Sequence, residues 1–309
     1  MMRKDCSQPL NSLLVDAFAA RTEGAEARPY AAMAQHVCQL RSAVGGSTMS
    51  TSLYRCLPVR RIWNIRLDPE ASGEGCIQPM GSTYEKGFTM LLSKSAPSTR
   101  MLFTVAHEIC HTFFYEMVPE IKFLPHQTDE AEERLCNFGA AELLMPASHI
   151  RKLASRQKPS LSALRSIAQH YRVSLEASLV RLRTLKLWDC ALSLWYRGSD
   201  GVFRMDRIFG DLGDWAWVDD RALTRAWESH GAADVSGRTT LSRKDATRGW
   251  FSRFVYFQAR RVRDSVMVLW GKYPMGDSCD QYGLFGSVKR RSRTQITKEM
   301  GRPLQTHLA

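Results

Sequence analysis

Apolar and polar positions change their period along the chain, and the changes mark its elements. From Pro29 to Val44, Ala31, Ala34, Val37, Cys38 and Arg41 recur at helical spacing. Pro29 suits a first helical position, and Gly45-Gly46-Ser47 ends the run. Leu57 to Leu67 and Gly87 to Ser93 are short apolar runs that read as strands, with a Gly-, Ser- and Pro-punctuated stretch between them. Helical spacing returns from Thr104 to Glu116, and a loop with Pro119 and Pro125 follows. A second strong helix runs from Asp129 to Met145 and stops at Pro146. Residues 1–28 carry no such pattern and are expected to be weakly ordered.

Ser148 to Leu187 reads as several short helices, broken at Pro159-Ser160 and turned at Tyr171-Arg172-Val173, with Ser174 as an N-cap. Past Trp188 the period shortens. Ala191–Tyr196 and Phe203–Phe209 alternate like strands around the turn Arg197-Gly198-Ser199-Asp200-Gly201. Asp219 to His230 suits a helix, Phe251 to Trp270 two more strands, and Lys289 to Arg302 a basic tail. The expected class is α+β. Its parts would be a domain over 29–147, a helical segment over 148–187, an α+β domain over 188–288 and a tail over 289–309.

Composition narrows this reading. A chain of 309 residues with 44% apolar and 24% charged residues is a globular protein of about two domains. No apolar run nears the roughly 20 residues a membrane span requires, so no membrane partner is expected. The first 16 residues lack the apolar stretch of a secretory signal. The 8 cysteines form no CxxC pair, which argues against a disulfide scaffold or a cysteine zinc ribbon and favours a reducing cytoplasm. A net charge of +12 favours acidic or polyanionic partners without requiring nucleic acid.

The sharpest chemical feature is His107-Glu108-Ile109-Cys110-His111. On a helix, residues i and i+4 share a face, so both imidazoles can reach one ion, while Glu108 is rotated by about 100° toward a bound water. Zinc with three protein ligands keeps its fourth position for water, whose pKa falls to about 7, and Glu108 can then act as general base. Such a pentapeptide arises by chance in about one chain in a hundred of this length, so its context decides. The preceding Arg100–Ala106 run lets one side of the helix be buried. On the next helix Glu133 can be the third ligand, and Asn137, one turn on, can hydrogen-bond a ligand histidine. Ala140-Ala141 are small enough for the two helices to press together.

The stretch Phe103-Thr-Val-Ala-His-Glu-Ile-Cys-His111, followed by Glu133-Arg-Leu-Cys-Asn-Phe-Gly-Ala-Ala-Glu-Leu-Leu-Met-Pro146, resembles the ImmA/IrrE family of metallopeptidases. The likeness covers roughly residues 85–185. It implies a zincin-like catalytic domain, with His107, His111 and Glu133 as zinc ligands and Glu108 as the catalytic base. It also implies cleavage of a helix-turn-helix repressor, which would release stress or mobile-element genes. Two residues depart from the family pattern: Cys110 replaces a small Gly or Ala, and Gly139 stands where an apolar residue is commoner.

Other residues compete for roles. Glu130, about one turn before Glu133, is the main rival ligand; only Glu133 pairs with Asn137 at i+4. Glu132 points about 100° away from Glu133. Cys110 and Cys136 read as buried, inert thiols. Tyr115, one turn beyond His111, is a candidate to hold an oxyanion but suits the core better, and His126, in the loop between the helices, is a candidate to meet substrate. Manganese or iron also suits a His-His-Glu set, and zinc is preferred from ligand type.

Leu161 to Leu182 resembles a helix-turn-helix, with Arg165, Arg172, Arg181 and Arg183 available to phosphates. A structural role is favoured, because no residue here is diagnostic of base readout. Seven of the 8 tryptophans follow residue 187 and suit a core; by position and strand pattern the region resembles the GAF-type sensor domain of longer family members. The expected function is therefore a zinc endopeptidase acting on a regulatory protein. The alternative is a basic DNA- or protein-binding regulator whose metal site is structural or vestigial.

Overall fold

The computed structural model describes residues 13–23, 28–45, 49–68, 75–81, 84–94, 98–117, 130–210, 217–218, 220–229, 234–245 and 249–275. The loop 118–129 with His126, the tail 289–309 and residues 1–12 lie outside them. The described residues are α+β and fall into two compact units that meet in sequence at Pro146/Ala147. None of their helices is long and apolar enough to cross a membrane.

The first unit begins with an element the periodicity did not suggest. Helix α1, Leu13–Arg21, buries Val15, Phe18 and Ala19 at helical spacing. Nine residues are too few to hold a helix alone. Packing supplies the rest, since the ring of Phe18 stacks on that of Phe114 with centroids 4.5 Å apart. Helix α2, Pro29–Ala43, starts on Pro29 as expected, and Gly45 follows it with φ of +73°.

Helix α3, Met49–Val59, corrects the strand read from Leu57 onward. Leu53, Cys56 and Leu57 are buried on one helical face, and Arg61, at φ of 54°, turns the chain into strand β1, Ile62–Asp68. Strand β2, Gly75–Pro79, was not expected in its polar surroundings. It exists because it pairs antiparallel with β3, Phe88–Ser93, which also pairs parallel with β1; the order is β1-β3-β2.

Helix α4, Ser98–Met117, starts earlier than its pattern suggested, and α5, Glu130–Leu144, ends before Pro146. They pack together where buried Cys110 of α4 meets buried Gly139 of α5. Gly75 of β2 lies against Thr104 of α4. A Cβ there would stand 2.6 Å from Cγ2 of Thr104, so only glycine allows this approach.

In the second unit α6, α7 and α8 span Ala147–Ala154, Leu161–Tyr171 and Leu175–Thr184. Ser160 Oγ accepts from the Ala163 amide at 3.0 Å, and Ser174 Oγ from the Ala177 amide at 3.1 Å, so α7 and α8 each open on a serine cap. Arg172 makes the turn between α7 and α8 at φ of 54°. A six-stranded antiparallel sheet follows: β4 (Cys190–Arg197), β5 (Phe203–Phe209), β6 (Trp217–Val218), β7 (Val235–Asp245), β8 (Gly249–Val262) and β9 (Ser265–Gly271). Its order is β5-β4-β9-β8-β7-β6.

Strands β6 and β7 go beyond the four that periodicity suggested. Strand β7 instead finds its partner in β8, pairing from Val235↔Ala259 to Asp245↔Gly249. Helix α9, Asp220–Glu228, buries Ala222, Leu223 and Ala226 among Trp195, Phe257 and Trp270. The helical segment and the region after Trp188, read from sequence as separate stretches, belong to one compact unit.

Candidate metal centre

His107 and His111 lie one turn apart on the same face of α4, and Glu133 stands in the first turn of α5. The two Nε2 atoms are 3.0 Å apart. Glu133 Oε2 lies 3.2 Å from Nε2 of His107, and its Oε1 lies 3.4 Å from Nε2 of His111. A tetrahedral zinc with ligand bonds of about 2.0–2.2 Å has ligand–ligand edges of about 3.3–3.5 Å. The three donor atoms already stand close to that spacing, and their chemistry, two imidazoles and one carboxylate, suits zinc.

The three side chains keep between 13% and 31% of their surface, which leaves an approach from solvent. Burial alone would raise the Glu133 carboxyl; hydrogen bonds to His107 and His111 outweigh it and hold the group well below the usual carboxylate range. Burial alone would likewise lower His111, but Cys136, Glu132 and Glu133 around its ring raise it well above the ordinary value.

Glu108 is buried, on the side of α4 that faces β2. Burial raises its carboxyl, opposed by His111 and His107 and by the backbone amide of Ile77, which donates to it. Tyr115 packs its ring on Phe88, centroids 5.1 Å apart. Burial, and then the carboxylate of Glu132, raises its phenol.

Several residues stand elsewhere than helical periodicity suggested. Asn137 is exposed, and the hydrogen bond to the His111 ring comes from Glu132, whose Oε1 is 2.6 Å from Nδ1. Glu130, the rival ligand, is exposed, and His107, His111 and Glu133 gather without it. Cys136 is not turned away: its sulfur, Glu132 and His111 bring ligand atoms within 4.8 Å of one another. Burial pushes that thiol up to about 12, so it stays protonated. Glu132 and Ile77 are what the sequence reading missed. One signal was available for Glu132: an imidazole has nitrogens on two sides, and two adjacent carboxylates can serve one each.

Residues 78–183 match the model of the IrrE N-terminal-like domain of the M78 peptidases. Over this stretch the chain is similar to the IrrE N-terminal-like metallopeptidase domain. The match takes in α4 and α5 with His107, Glu108, His111, Glu132, Glu133 and Cys136, and begins just after Ile77. The radiation response metalloprotease IrrE of Deinococcus deserti is 33% identical over 98 residues, covering 30% of this chain and 35% of that protein. Its Deinococcus radiodurans counterpart is 31% identical over 98 residues, 30% of either chain. The chain thus spans about a third of the length of these curated relatives. A solved structure titled a Mycobacterium tuberculosis transcriptional regulator aligns with a TM-score of 0.44 at 11% identity, covering 84% of this chain and 80% of that one.

Proposed function

We propose that this protein is a cytoplasmic zinc endopeptidase that cuts a regulatory protein, a helix-turn-helix repressor, and so derepresses genes. The observation that carries the reading is the convergence of Glu133, from a second helix, on both histidines of the HExxH turn at 3.2 and 3.4 Å. Three protein ligands leave one position for reaction, as catalytic rather than structural zinc sites do. The match to a metallopeptidase domain over 78–183 supports it, as do the relatives known as radiation response metalloproteases.

His107, His111 and Glu133 would hold the ion, which when bound supplies Lewis acidity toward a scissile carbonyl and acidifies water. Glu108 takes the proton of the attacking water and hands it to the leaving amide nitrogen. Its burial, which raises its carboxyl, suits a group that must both accept and return a proton. Tyr115, with its ring on Phe88, keeps the core role favoured from the sequence. Strand β2, outermost in its sheet and beside α4, offers an extended peptide a backbone edge.

In this reading the three-stranded sheet with α4 and α5 is a zincin-like domain. The capped pair α7–α8 is a helix-turn-helix-like support, and the six-stranded sheet with α9 is a GAF-like sensor. The test is incubation with candidate repressors, especially one encoded nearby, with and without metal and beside Glu108→Gln. Metal-dependent cleavage that Glu108→Gln abolishes is the expected result. Equal cleavage by Glu108→Gln overturns the mechanism. Metal-free protein that binds duplex DNA in a salt-sensitive way would favour a regulator instead.

A further inference from the structure

We infer that Glu132 is a positioning residue, whose carboxylate fixes the tautomer and tilt of His111 so that Nε2 faces Glu133 and His107. The inference rests on the metal-site reading above and assigns a partner that helix periodicity does not reveal. Glu132 Oε1 stands 2.6 Å from Nδ1 of His111. An ionised carboxylate only accepts hydrogen bonds, so the nitrogen facing it must carry the proton. In a neutral imidazole the other nitrogen then has a free lone pair. That nitrogen is Nε2, 3.4 Å from Glu133 Oε1 and 3.0 Å from Nε2 of His107.

Two neighbouring residues in the first turn of α5 thus take opposite sides of one ring. Glu133 faces the side that would bind an ion, and Glu132 holds the side that must not turn. Cys136 follows Glu132 by one helical turn and is fully buried, so its thiol walls off the Nδ1 side. His107 has no such clamp among the described residues: its Nδ1 is buried without a hydrogen-bond partner. The second ligand histidine is therefore the one α5 orients. A rival arrangement uses the same atoms, with His111 Nδ1, Glu132 and Cys136 holding the ion themselves.

The experiment compares Glu132→Ala, Glu132→Gln and Glu130→Gln, an exposed charge of the same turn. Zinc affinity is read by competition with a chromophoric chelator at fixed pH, with circular dichroism to check the fold. Glu132→Ala is expected to weaken zinc by about 10–100-fold, the usual cost of losing a partner behind a ligand histidine. Glu132→Gln, whose amide oxygen still accepts, loses less and serves if the alanine variant does not fold. Glu130→Gln stays at the parent affinity.

Nitrogen-15 spectra of the metal-free protein give a readout independent of metal. At a pH alkaline enough for the ring to be neutral, His111 is expected as the Nδ1–H form in the parent and as mixed tautomers in Glu132→Ala. Parent-like affinity in Glu132→Ala, or an unchanged tautomer, overturns the assignment. A sulfur-to-metal charge-transfer band in the cobalt-loaded protein overturns it in favour of the Cys136 arrangement. A parent protein that takes no zinc defeats the metal-site reading, while the tautomer result still decides the role of Glu132.

Discussion

Cys110 of α4 and Gly139 of α5 fill one space between them. A Cβ at Gly139 would stand 2.7 Å from Sγ of Cys110 and 2.7 Å from Sδ of Met33, closer than real Cβ atoms approach. By the resemblance read from the sequence, Cys110 is larger and Gly139 smaller than the residues expected at these places. The departures compensate each other across the helix contact that carries the candidate site. Taken singly from the sequence they look like two defects; in the fold they are one exchange of volume.

Gly139→Ala should therefore destabilise the first unit by about 1–3 kcal/mol, the usual cost of overpacking. Helix propensity alone would give the opposite sign, a gain of about 1 kcal/mol. Cys110→Ala in the same chain should recover part of the loss. A double-mutant cycle by urea denaturation measures the coupling, and simple additivity of the two changes would refute the shared-volume account.

Removal of a ligand and removal of the base should separate cleanly. Glu133→Ala is expected to lower metal affinity by more than the roughly 10–100-fold that loss of an outer partner causes. Glu108→Gln should keep a full equivalent of metal and lose cleavage. Metal content by mass spectrometry, measured beside peptide-bond cleavage, checks both. A metal-free Glu108→Gln would place Glu108 among the ligands instead.

Acid should weaken the first unit through His36. Its ring is 5.2 Å from that of Phe113 and 5.4 Å from that of Phe18, centroid to centroid. Thr22 donates its hydroxyl proton to the Phe18 carbonyl at 2.9 Å, so the same oxygen accepts from Nε2 of His36 at 3.1 Å. Burial first, and then the charge of Arg60, lowers the His36 value, with Glu116 opposing. The folded chain therefore protonates at lower pH than the unfolded one. Above the ordinary value of 6.5 both are neutral and the effect is nil. As pH falls below it, the unfolded chain gains the proton first, and stability drops by up to about 1.4 kcal/mol per pH unit until the folded value is reached. Urea midpoints from pH 7 to pH 5 should show this slope, and His36→Gln should flatten it by that amount.

In the second unit one hydroxyl serves two indoles. Ser193 Oγ accepts from Trp195 Nε1 at 2.6 Å and from Trp270 Nε1 at 2.7 Å, all three residues buried. Ser193→Ala leaves both N–H groups without an acceptor, at about 1–3 kcal/mol each. Chemical denaturation followed by tryptophan fluorescence should show a loss of at least about 2 kcal/mol. A midpoint equal to the parent's would mean that the indoles find other acceptors.

The sequence by itself determined those features that depend on neighbours along the chain. The HExxH spacing puts His107 and His111 on one helical face whatever else the fold does, and Ser174 caps the helix that follows it. The long apolar rhythms of α2, α4 and α5 were legible for the same reason. Tertiary structure alone decided what depends on neighbours across space. Strand β2 lacks a pattern of its own and exists through β3, α1 is too short to stand without Phe114, and Leu57 completes a helix only because that face is buried. Glu132 shows the difference most directly. Its angle on α5 separates it from Glu133, yet the ring of His111 sits between the two carboxylates and uses both. Helical periodicity fixes directions around one axis, and only the packing of α4 on α5 says what stands in each direction.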